Sequence, residues 1–120
     1  MIETAKALQK FWSSFGLDAY VEGSIPDGAQ MPYITYRLVK PDWRSSVQEY
    51  ARLWYHSTSY ADVLAKVDEI KQAIGEGYSM PIENGMLVLY RDDVFAQTMT
   101  DEESDIKYVY LTLQMNVYNS

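Results

Sequence analysis

The chain has 120 residues, 48% of them hydrophobic, with 17 acidic against 10 basic side chains, a formal net charge of −7 and no cysteine. That size suits one hydrophobic core over residues 1–120. The missing cysteines exclude disulfides, thiolate nucleophiles, Cys-ligated zinc and iron–sulfur clusters. The negative charge disfavours binding along a nucleic-acid backbone, which depends on Lys and Arg displacing counterions.

The chain opens on Met1-Ile2-Glu3-Thr4 without a basic segment leading into an apolar one, so no export signal is read there. No apolar run approaches the roughly 20 residues that cross a bilayer. A soluble protein made in the cytoplasm, with no membrane partner, is expected. Leu8, Phe11, Trp12 and Phe15 fall at i, i+3, i+4 and i+7, which is one face of a helix over Ile2 to Phe15, with Gly16 to stop it. Tyr20 and Val21 suit a short strand, and the glycine- and proline-bearing stretch from Gly23 to Met31 is a loop.

Tyr33 to Val39 is rich in β-branched and aromatic residues and predicts a strand with Ile34, Tyr36 and Leu38 on one face. After the turn-prone Pro41-Asp42 a second strand is expected near Val47 to Tyr55, where Glu49 shares a side with Val47, Ala51, Leu53 and Tyr55. Tyr60, Val63, Leu64, Val67, Ile70 and Ile74 then give a helical stripe. Ser59 with Asp62 resembles a capping box, Asp62 and Lys66 form an acid-first i,i+4 pair, and Gly75 and Gly77 end the helix.

Two apolar runs between Ser79 and Tyr90 flank Asn84-Gly85 and predict a hairpin, and Phe95 to Met99 suits a brief extended piece. The last segment, Ile106 to Tyr118, alternates throughout. Val109, Leu111, Leu113, Met115 and Val117 occupy one face and must be core, while Tyr108, Tyr110, Thr112, Gln114, Asn116 and Tyr118 occupy the other. The expected fold is α+β: a mostly antiparallel, possibly mixed, sheet of four to six strands with two helices packed on one face.

Chemistry finds little footing in this pattern. His56 is the only histidine, and no serine sits in a strained G-x-S-x-G elbow, so His56 reads as a strand-closing residue. Asp101, Glu103 and Asp105 have the first spacings of a calcium loop, but Ile106 stands where the sharp turn needs glycine and Thr112 where a bidentate glutamate belongs. Gly75-Glu76-Gly77 follows a helix and cannot aim amides at phosphate. Trp12, Trp43 and Trp54 with the tyrosines lack the basic groove of a single-strand stacking platform. No catalytic residue, metal or cofactor is expected.

Two features stay unexplained by packing alone. Asp92, Asp93, Asp101, Glu102, Glu103 and Asp105 crowd a stretch without a base, which is either solvated and mobile or turned toward something basic. The face bearing Tyr108, Tyr110, Thr112, Gln114 and Tyr118 suits burial against another subunit, although an antiparallel sheet also leaves one face to water. Both readings stand at this point.

Pro32-Tyr33-Ile34-Thr35-Tyr36, then Arg52 to Tyr60 reading Arg-Leu-Trp-Tyr-His-Ser-Thr-Ser-Tyr, then Phe95-Ala96-Gln97 before the acidic loop and the long final strand, together resemble the tail terminator, or tail completion, proteins of long-tailed bacteriophages. Order and spacing over nearly the whole chain carry the likeness, and Val94 stands where proline is expected. The resemblance implies a structural subunit without catalytic residues, closing into a homo-oligomeric ring, usually of six, at the head-proximal end of the virion tail. Its partners would be the tail tube protein and the head–tail connector or stopper, with DNA only in transit through an acidic lumen. Interface candidates are Tyr108, Tyr110, Thr112, Gln114, Tyr118, Asp101, Glu102 and Glu103. The alternatives are another neck or tube subunit, an acidic monomeric inhibitor or immunity-type protein, and a small enzyme relying on His56.

Overall fold

The structure is a computed structural model that describes residues 2–38, 46–83, 85–103 and 105–119. In chain order its elements are α1 (Ile2–Ser13), β1 (Asp18–Val21), β2 (Tyr33–Tyr36), β3 (Ser46–His56), α2 (Ala61–Ile74), β4 (Tyr78–Ile82), β5 (Gly85–Thr100) and β6 (Ile106–Asn119). The strands form one mixed sheet in the order β1-β2-β3-β6-β5-β4, parallel between β1 and β2 and antiparallel elsewhere. The α+β expectation holds, with six strands.

β6 sits near the middle of the sheet because it has two long neighbours, β3 and β5. Its 14 residues span about 46 Å at ~3.3 Å each, which matches the molecule's longest dimension of 47 Å. Alternation along β6 decides the core. Val109, Leu111, Leu113 and Met115 are fully buried and Val117 nearly so, in one cluster with Leu8, Phe11 and Trp12 of α1 and Val63, Val67, Ile70 and Ile74 of α2. Both helices therefore cover the same aliphatic side of the sheet.

Aromatic edges lock α1 down. Phe11 meets Trp12 at 4.8 Å, Phe15 at 5.2 Å and Tyr78 of β4 at 5.1 Å between ring centroids. At the end of α1, Gly16 takes a positive φ of 80°, and the Lys66 ammonium of α2 donates to the Phe15 carbonyl at 2.7 Å. A cation thus satisfies a carbonyl that follows the last turn of the helix.

That contact corrects the expected Asp62–Lys66 pair, since Lys66 turns to Phe15 and Glu69 instead. The capping box is absent too. Tyr60 is the N-cap without a side-chain bond, while the Ser59 hydroxyl accepts from the Ala61 N–H. Leu38 and Leu64 are exposed, at 47% and 41%. Leu38 lies beyond the end of β2, where alternation no longer dictates a face. Leu64 sits at the rim of the α2 stripe.

The hairpin expected around Asn84-Gly85 exists as β4 and β5, but Gly85 already lies on β5 opposite Ile82; Asn84 is outside the described residues. So are Val39, Trp43 and the turn at Pro41-Asp42. The brief piece at Phe95 to Met99 is the second half of β5, continuous with the first through a register break. Arg91 faces Leu113 and Ala96 faces Leu111, so four residues of β5 oppose Thr112 alone. This broad bulge bends the strand and ends its regular alternation.

Glu49 is fully buried on the helix side of β3, between Val47 and Ala51. Its Oε1 accepts from the Tyr50 N–H at 2.9 Å; among the described residues Oε2 and the buried Trp12 indole N–H make no well-formed hydrogen bond. Burial pushes this carboxyl up to about 8, with the Tyr50 N–H, the Arg37 charge and the Trp12 indole opposing the rise.

Candidate functional site

The side of the sheet away from the helices is built from alternate residues of β1, β2, β3 and β6. Cross-strand register brings them into rows: Tyr33, Trp54 and Tyr108 in one, Thr35, Arg52 and Tyr110 in the next, then Tyr50 with Thr112 and Gln48 with Gln114. Sequence alternation assigns each residue to a face, and pairing decides which rings meet. Trp54 stacks on Tyr108 at 4.4 Å, and Tyr50 leans on Tyr110 at 5.4 Å.

Cations lie over these rings. The Arg37 guanidinium is 4.4 Å from the Tyr50 centroid and that of Arg52 is 5.0 Å from Tyr110. Arg52 also pairs with Glu22, and the Trp54 indole N–H donates to the Thr35 hydroxyl at 2.9 Å. At the β5 side, Gln48 donates to Asp92 at 3.1 Å. Desolvation leads the causes that raise the Tyr110 phenol above its ordinary value. The face consists of flat rings with polar tips, already ordered by one another.

Of the interface candidates, Tyr108, Tyr110, Thr112 and Gln114 lie together on this face, although Thr112 is buried in it. Tyr118 lies on the same side opposite Met86, at the far end of β6 and 49% exposed. Asp101, Glu102 and Glu103 occupy the turn between β5 and β6. About 40 Å of strand separates Tyr118 from that turn, so one compact contact cannot use both. Arg37, Tyr50, Arg52 and Trp54 were not identifiable as site residues from the chain alone, because their membership comes from the β3–β6 register.

His56 is exposed and its Nε2 lies 2.6 Å from Asp105 Oδ2. That contact holds the Asp105 carboxyl below its usual range. Among the described residues no hydroxyl reaches His56; the Ser57 hydroxyl accepts instead from the Ser59 N–H at 3.1 Å. Asp105 turns to His56 and Asp101 to the Glu103 amide, and among the described residues no three metal-ligating side chains converge. No helix among them is long and apolar enough to cross a membrane.

No family model and no curated protein matches this chain. Among solved structures, its fold is similar to that of a chain in the virion of a native gene transfer agent particle, with 16% sequence identity and a TM-score of 0.70. The likeness covers 97% of this chain and 92% of that one. At that identity the likeness is one of fold, and it extends over the whole α+β unit.

Proposed function

We propose that this chain is a structural subunit of a phage-like virion, and within it a tail terminator. It closes into a ring, of six copies by the resemblance, at the head-proximal end of the tail tube and presents a platform to the head connector. The observation that carries this reading is the end-to-end likeness to a chain of the gene transfer agent virion, with little left over on either side. The motifs of the final strand and of the β3–α2 junction point the same way.

The aromatic face supplies the subunit contact in this reading. Such a surface binds with little loss of side-chain freedom, because Trp54, Tyr108, Tyr50 and Tyr110 already restrain one another. The net charge of −7 suits a lumen through which DNA slides without sticking. Native mass measurement and electron microscopy test the proposal, with purified tail tubes added as template. Rings, or tubes capped at one end, support it. A monomer that neither caps tubes nor enters tail assembly removes it.

A further inference from the structure

The second half of β5 has a neighbour on one side only. Ala96 to Thr100 pair with Lys107 to Leu111 of β6, while β4 reaches only from Gly85 to Leu89, so among the described residues no strand lies along the outer side beyond Leu89. The other edges are blunted. β1 has four residues and its Ala19 carbonyl is taken by the Gln9 amide at 3.1 Å; β4 carries Pro81.

The β5 edge has neither the shortness of β1 nor the proline of β4. From Val94 to Thr100 it holds no charge and no proline. Val94 is 58% exposed and Gln97 and Thr98 are exposed, while Phe95 and Ala96 anchor the strand to the core. At its end the Tyr60 hydroxyl donates to the Met99 carbonyl at 3.0 Å. The usable run is therefore Val94 to Thr98, which starts in the bulge and ends where Tyr60 holds Met99.

Acidic residues bracket this run, Asp92 and Asp93 before it and Asp101, Glu102 and Glu103 after it. In an antiparallel pairing of two copies about Gln97, Asp93 would oppose Asp101 and Asp92 would oppose Glu102, which outweighs the one opposite-charge pair of that register, Arg91 with Glu103. Like charges facing each other across strands destabilise the pairing. The edge is thus open to a strand and set against its own copy. We propose that it is a docking site for an extended segment of a different protein, one with an uncharged core and Lys or Arg at both ends, which adds to the sheet as a further strand. This inference does not depend on the ring.

The test uses the whole protein and two synthetic strands sharing an alternating Thr-Val core, one flanked by lysine pairs and one by glutamate pairs. Amide hydrogen exchange at Val94 to Thr98 should slow with the lysine-flanked strand. Its affinity should exceed that of the glutamate-flanked strand by about tenfold, the weight of several cross-strand charge pairs, and the gap should close as salt rises. Thr98→Lys, at an exposed position, should lose most of this binding with an unchanged melting temperature. Unaltered exchange over these residues, equal binding of the two strands, or a homodimer that cross-links through Gln97→Cys would each overturn the proposal.

Discussion

Trp54 lies nearly flat on Tyr108, its direct partner across β3 and β6, with ring centroids 4.4 Å apart and planes inclined by 23°. Among the described residues neither ring has a helix over it, and the indole N–H is held by Thr35. A stack fixed in this way keeps its geometry without a partner present, which is what a preformed contact surface needs.

Tyr110→Lys places an ammonium beside Arg52, where a ring now accepts the guanidinium at 5.0 Å. The isolated protein should lose about 1–2 kcal/mol of stability, the scale of one cation–π and one aromatic contact. Ring formation or tube capping should fail at concentrations where the unchanged protein succeeds. Normal assembly by a folded variant would take this face out of the interface.

Lys66→Met keeps the aliphatic stem of the side chain but removes the donor that meets the Phe15 carbonyl at 2.7 Å. The cost should be about 1.5–3 kcal/mol, as for a hydrogen bond with one charged partner. Urea denaturation measures it. A midpoint unchanged from the parent would mean that the contact does not tie the two helices together.

The central strand was the most legible part of this chain, because five alternating aliphatics in a row leave only one way to face a core. Glu49 shows the limit of the same rule. Its place in the alternation put it on the core side, yet only the folded core, with Trp12 of α1 beside it, shows that a carboxyl is buried there. The aromatic site was half legible. Tyr108 and Tyr110 were marked by their own strand, whereas Arg52 and Trp54 joined them through register, a long-range property that no local pattern encodes. Lys66 was paired with the wrong partner because its bond reaches 51 residues back along the chain, beyond any helical spacing.

Leu111→Ala removes a fully buried side chain from the strand that contacts both β3 and β5. Loss of transfer energy plus a cavity should destabilise the protein by about 2–5 kcal/mol. Tyr118→Ala, at 49% exposure, should change stability by under about 0.5 kcal/mol. Parallel urea curves decide the matter, and a reversed order would contradict the placement of the core.

Glu49 makes stability fall with rising pH over a range where most proteins are indifferent. Its carboxyl sits at about 8 in the folded protein against an ordinary value of 4.5, so the folded state holds a proton that the unfolded state gives up. The stabilisation from that proton is complete below about pH 4.5 and is lost as pH rises through 8. A shift of that size corresponds to a few kcal/mol, on the order of 1.4 kcal/mol per pH unit. Asp105 acts in the opposite sense, since His56 lowers its carboxyl below 3.8 and its contribution disappears only in acid. Maximum stability should therefore lie near pH 5 and decline toward pH 8. Glu49→Gln removes the titration while keeping the shape, so it should be more stable than the parent at pH 8 and nearly flat from pH 5 to 8. Denaturation curves across that range check both statements, and a parent protein most stable at pH 8 would show that Glu49 is ionised in the fold.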